Sequence, residues 1–281
     1  MQRSRASPFS HLGRRTLEIR KAVGRNMMLY HHLGASIDTL RVAVVTPTRN
    51  RELFIGQTIR YFHAQRNPFR ALRWFVLDDS DEASSHEYFG TSDRDVSYTW
   101  VGDVRPLGAK RNWLNDSAKE WGADIICSMD DDDWYGPDYL DDMATLLLQN
   151  EACFAGSGAD WYFEPRGQRV LFIPAVREHM SCNAVLCYKA HVLDSRRYDE
   201  HARFGEEPAF IGQDRILQHP DIKNVHLALI GTHNTVTKRG YLRSPNLYTS
   251  FSLEDFPMEE RDRNFYRSLM HKSASSWLRP E

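Results

Sequence analysis

From residue 41 onward, short apolar runs alternate with stretches in which apolar residues recur at helical spacing. Val42, Ala43, Val44 and Val45 open a predicted strand over 42–46, and Ile55, Ile59 and Phe62 then recur at the interval of one helix face. Residues 74–77 and 97–101 read as the second and third strands, and Arg111, Leu114 and Ala118 mark the next helix. A fourth strand over 125–129 precedes a helix carrying Leu140, Met143, Ala144 and Leu147. This alternation predicts an α/β fold, with a mainly parallel sheet, helices on both faces and right-handed crossovers. Such sheets bind ligands outside the carboxyl ends of their strands. Here those ends carry residues 46–50, the pair Asp78 and Asp79, and four consecutive aspartates at 130–133, so three polar clusters converge on one edge.

The aspartate run sets the chemistry to be explained. Two carboxylates roughly 4 Å apart repel by about 1 kcal/mol in water and by more in a cleft, so four in a row invite a cation. The alternative is a solvated turn in which Asp133 or Asp138 caps the helix that follows. A hard cation such as Mg²⁺ or Mn²⁺ takes oxygen ligands, usually one or two carboxylates plus substrate phosphates. An EF-hand loop is excluded, because Tyr135 stands where glycine is needed in one register and at a ligand position in the other. Glycine-rich phosphate loops are missing from the first strand's end. Phosphate would then be met by metal and by Arg49, Lys110 and Arg111.

Composition narrows the class. With 41% hydrophobic and 26% charged residues the chain is ordinary for a globular protein, and a net charge of −2 makes nucleic acid an unexpected partner. No apolar run has the length of a membrane span and the N-terminus lacks a secretory apolar core, so the cytoplasm is the expected location, with peripheral membrane association left open. Residues 1–38 carry seven Lys or Arg against Glu18 and Asp38, a basic arm read here as a tail rather than a binding device. Cys182 and Cys187 lie in a stretch read as a strand. They are expected as buried thiols in preference to a zinc site with His179 or His191.

Four blocks carry a resemblance: Val44 to Arg51 (VVTPTRNR), Leu77 to Ser80 (LDDS), Gly108 to Asn112 (GAKRN) and Met129 to Asp133 (MDDDD). In order and spacing they resemble the blocks of family 2 glycosyltransferases of the GT-A fold. The resemblance implies a nucleotide-sugar donor, with Asp79 on the base, Thr46, Thr48 and Arg49 lining the base and ribose pocket, and Arg111 or Lys110 contacting base or phosphate. It makes Asp130 and Asp132 the DxD motif, with Asp132 on a Mn²⁺ or Mg²⁺ ion and Asp130 or Asp131 toward the ribose. It also implies an inverting transfer, with Asp214 as the base, Glu206 and Glu207 as the alternatives, and His233 near the donor phosphates and metal. The expected organisation is a nucleotide-sugar half over 39–150, an acceptor and base half over 151–240, and a helical extension over 241–281. A UDP-sugar is the expected donor, and a glycan, lipid carrier or small molecule the acceptor. A nucleotidyltransferase and a non-catalytic module acting through the basic arm are the competing readings.

Overall fold

The central strand follows directly from its residues: in β1 (Arg41–Thr48) Val42, Ala43, Val44 and Val45 are all buried, so both faces of the strand are covered. The computed structural model describes residues 36–90, 95–177, 180–231 and 238–270, and residues 1–35 of the basic arm lie outside them. The chain turns out of β1 at Asn50, which holds φ 53, a left-handed conformation that asparagine tolerates. It enters α1 (Glu52–Ala64), whose Phe54, Ile55, Ile59 and Phe62 face the core, and Phe62 stacks on Trp74 at 5.2 Å between ring centroids. β2 (Ala71–Asp78), β3 (Val96–Trp100), α2 (Leu107–Trp121) and β4 (Ile125–Ser128) follow in the predicted alternation. Gly122 closes α2 at φ 84, the usual left-handed stop for a helix.

The remaining strands, and the α-helices of five residues or more, are β5 (Trp134–Tyr135), α3 (Tyr139–Leu148), β6 (Phe154–Gly156), β7 (Asp160–Glu164), β8 (Arg169–Ile173), β9 (Cys187–Lys189), α4 (Glu207–Ile211), β10 (Ile216–Gln218), β11 (His226–Leu229) and α5 (Glu260–Ser268). Seven strands form one sheet in the order β10-β6-β9-β4-β1-β2-β3, in which β9 runs antiparallel to both its neighbours and the other pairs are parallel. A second sheet takes the order β5-β11-β7-β8. Register aligns the strand ends that matter, since Thr48 pairs with Asp78 and Val45 with Ser128.

One expectation is corrected here. Residues 182–187 are not a continuous strand: Asn183–Val185 form a 3₁₀ turn and pairing begins only at Cys187. The reason is polar. The Asn183 amide donates to Glu206 at 2.6 Å and accepts from the Tyr198 hydroxyl at 3.2 Å, which turns the backbone out of the sheet. Cys187 sits opposite Cys127 across β4 and β9, both free and buried, while His191 lies 3.4 Å from Cys153. His179 is outside the described residues.

Candidate active site

Residues 130–133 form the floor of a cavity of about 710 Å³ at the carboxyl edge of the sheet. Their backbone is pinned from behind by three elements. The Tyr135 hydroxyl accepts from Asp130 N at 2.8 Å, the Thr58 hydroxyl of α1 donates to the Asp131 carbonyl at 2.7 Å, and the Tyr266 hydroxyl of α5 donates to the Asp132 carbonyl at 3.3 Å. With the chain fixed in this way, the four side chains cannot spread apart to relieve their repulsion.

Each carboxylate instead faces a protein cation. Asp130 lies 3.7 Å from Arg111, Asp131 and Asp132 lie 3.3 and 3.7 Å from Arg51, and Asp133 lies 3.2 Å from His226. Compensation is uneven. Burial, and then the neighbouring Asp133, push the Asp132 carboxyl up to about 8, whereas burial raises Asp130 to about 6 against the pull of Arg111. Burial works to raise Asp133 as well, but the hydrogen bond with His226 outweighs it and holds this carboxyl below its ordinary range. His226 is itself clamped between Asp133 and Asp160, 2.9 Å away, and although burial opposes its charge, Asp160 leads the groups that carry it up to about 10. Asp133 also accepts from Leu229 N at 2.7 Å, so its role is to tie the run to β11.

The basic wall comes from α2. Gly108 at its start has no room for a side chain, because an added Cβ would fall 1.9 Å from the Asp199 carbonyl oxygen. This close approach sets α2 against the loop that leads to the acidic pair. Arg111 Nε then donates to Glu206 at 2.7 Å, and the guanidinium is 5% exposed with Nη1 lacking a hydrogen-bond partner. A buried unpaired cationic donor beside a cleft costs free energy unless an anion completes it. Lys110 donates to Asp79 at 2.8 Å.

Beside Glu206 the cleft is also lined by Glu207, the first residue of α4, whose carboxyl is raised by burial and then by Glu206. Phe204, Val176 and Tyr241 line the cleft and are 63%, 78% and 38% exposed.

Of the residues expected at the site, Arg49, Lys110, Arg111, Asp130, Asp131 and Asp132 line this cleft together. Others are placed differently. Thr46 is fully buried, accepting from Trp74 Nε1 at 2.8 Å and donating to the Met129 carbonyl at 2.7 Å, so it fastens β1 to the core. Thr48 is buried against Asp131. Asp79 is 1% exposed, with its two oxygens engaged by Lys110 and by Arg105 N at 2.8 Å. Asp214 lies beyond α4, which ends at Gly212 with φ 65, and pairs with Arg196 at 2.9 Å away from the cleft lining. His233 is outside the described residues. Sequence reasoning assigned no role to Arg51, although it stands in the quoted first block, or to Asp160 and His226, whose partnership depends on the pairing of β7 with β11.

Among the described residues no three His, Cys, Asp or Glu side chains converge as a metal site. One or two carboxylates suffice where a diphosphate supplies further oxygens, and the under-compensated Asp132 fits that arrangement.

The profile of glycosyl transferase family 2 matches residues 43–194, from β1 through β9. The chain belongs to this family. The glycosyltransferase is similar in structure to S. aureus TarS 1–349 in complex with UDP-GlcNAc, at 15% sequence identity and a TM-score of 0.53 over 83% of this chain and 72% of that one. TarS 1–349 in complex with UDP gives 15% identity and a TM-score of 0.52, covering 84% and 73%. At such identity the likeness shows the GT-A fold alone. No curated protein matches the glycosyltransferase. No helix among its described residues is long and apolar enough to cross a membrane.

Proposed function

We propose that this glycosyltransferase takes a nucleotide-diphosphate sugar, a UDP-sugar in the first instance, and transfers the sugar to an acceptor hydroxyl with inversion, assisted by Mn²⁺ or Mg²⁺. The observation that carries the reading is the convergence, on one cleft, of the aspartate run and Arg111 with Glu207, a carboxyl held above its ordinary range by burial. Arg111 Nη1 supplies a preformed donor for a diphosphate oxygen, with Arg49 and Lys110 beside it. Asp132, with Asp130 or Asp131, would hold the divalent cation, which when bound stabilises negative charge on the leaving diphosphate.

Glu207 is the base in this reading, in place of Asp214. Inversion requires the acceptor oxygen to attack the anomeric carbon on the face opposite the departing phosphate oxygen. As that C–O bond forms and the C–O bond to phosphate breaks, the hydroxyl proton passes to Glu207. A carboxyl raised by burial is a stronger base than one in water, and Glu207 is raised in this sense. Glu206 is committed to Arg111 and Asn183, and its part is to orient the guanidinium.

The test is transfer from a panel of UDP-sugars to mixed acceptors with Mn²⁺, comparing wild type with Glu207→Gln. The variant should lose transfer by about a hundredfold or more while still binding UDP. Wild-type turnover by Glu207→Gln, or a product that retains the donor's anomeric configuration, overturns the assignment.

A further inference from the structure

Arg51 sits between two carboxylates that the proposed function assigns to the donor. Its Nε is 3.3 Å from Asp131, its Nη2 is 3.7 Å from Asp132, and its side chain is 15% exposed at the cleft. One guanidinium therefore serves two carboxylates, while Asp130 and Asp133 have Arg111 and His226. The backbone of the run does not depend on Arg51, being held by Tyr135, Thr58 and Tyr266. What Arg51 supplies is charge.

The charge balance has a consequence. Ionised, as ligation of a metal requires, Asp131 and Asp132 bring two negative charges and Arg51 one positive charge, so a divalent ion arriving alone would leave the group with an excess positive charge. The same ion arriving with a diphosphate would not. We propose that Arg51 is an internal counter-ion that keeps free divalent cation out of the aspartates and swings to the diphosphate when the donor enters, so that metal binds with the nucleotide and not before it. This rests on the nucleotide-sugar reading of the cleft. Arg51 has the means to make the exchange: its side chain lines the cavity, and it is carried by the turn between β1 and α1, next to Arg49. A guanidinium can trade a carboxylate for a phosphate with little loss, because both present oxygens to the same planar fork.

The experiment measures Mn²⁺ alone, by electron paramagnetic resonance of the free ion, on wild type, Arg51→Met, Arg51→Gln and Asp132→Asn. UDP binding is measured separately at saturating Mn²⁺. Loss of the guanidinium should tighten binding of Mn²⁺ alone by about tenfold or more, given a unit charge removed a few ångströms away in a partly buried site. It should also weaken Mn²⁺-dependent UDP binding by about tenfold. Asp132→Asn should weaken both. A residue that merely braced the loop would move the two in the same direction. Unchanged or weaker Mn²⁺ binding in both Arg51 variants, with far-ultraviolet circular dichroism unaltered, overturns the proposal, as does loss of the native fold in both. Wild-type protein that fails to bind UDP with Mn²⁺ refutes the donor reading itself, whereas normal wild-type UDP binding with unchanged Mn²⁺ affinity in the variants refutes only the role of Arg51.

Discussion

Replacing His226 by leucine should remove a buried electrostatic support of the cleft floor. His226 is fully buried and bridges Asp133 and Asp160, themselves 5% and 1% exposed. Its pKa rises from 6.5 to about 10, and at about 1.4 kcal/mol per pKa unit the clamp contributes about 4 kcal/mol at pH 7. Breaking a buried pair by removing one partner costs about 3–5 kcal/mol in measured cases, which agrees in size. Because the folded pKa lies above the unfolded one, this stability is fully present below about pH 6.5 and is lost progressively as pH rises through about 10. Urea unfolding at pH 6, 7.5 and 9 should therefore show wild-type stability falling with pH through this group. His226→Leu should be destabilised by several kcal/mol at pH 7, with its two unpaired carboxylates taking up protons so that it becomes relatively more stable on acidification. Adding Asp160→Asn to His226→Leu should recover part of the loss. A His226→Leu variant within about 1 kcal/mol of wild type at pH 7 would refute the argument that the imidazolium is what reconciles these carboxylates.

Asp214→Asn should change the transfer rate by no more than a few-fold, since its carboxylate pairs with Arg196 outside the cleft lining, and a hundredfold loss in steady-state kinetics would return the base to that residue. Arg111→Met should cost about 3–5 kcal/mol in urea unfolding by stranding Glu206 and abolish the thermal shift produced by UDP. Chelation by EDTA, or Asp132→Asn, should remove the metal-dependent part of that thermal shift. Tyr266→Phe should cost about 1 kcal/mol and weaken UDP binding several-fold by loosening the Asp132 carbonyl, as read by calorimetry.

The parallel half of the fold was legible because its central strands are apolar runs buried on both faces and its helices carry one-sided periodicity, as Val42 to Val45 and Ile55, Ile59 and Phe62 illustrate. Convergence of Arg49 with residues 130–132 followed from their place at the carboxyl ends of strands, whereas Lys110 and Arg111 were expected there as phosphate-binding cations and from the family resemblance. What was not legible depended on contacts distant in sequence. Thr46 was expected in the ribose pocket, yet a hydroxyl at a strand's inner face finds Trp74 and Met129 first. Asp79 was expected to meet the base, but Lys110 lies one helical turn into α2 and reaches it first. Asp214 falls outside the cleft lining because α4 stops after five residues, at a glycine with positive φ that periodicity does not reveal. Residues 182–187 look apolar enough for a strand, and only the demand of Glu206 and Tyr198 on Asn183 draws them out of it.

The hydrogen bond from Tyr266 to the Asp132 carbonyl joins residues 134 positions apart. On a ribosome, β1 to β4 emerge well before α5, and chains are synthesised at about 5–20 residues per second. The aspartate loop of a growing chain consequently has its supports from Thr58 and Tyr135 several seconds before the one from Tyr266. A chain ending near residue 250 should therefore assemble β1 to β4 yet hold the Asp132 carbonyl less firmly than the longer chain does.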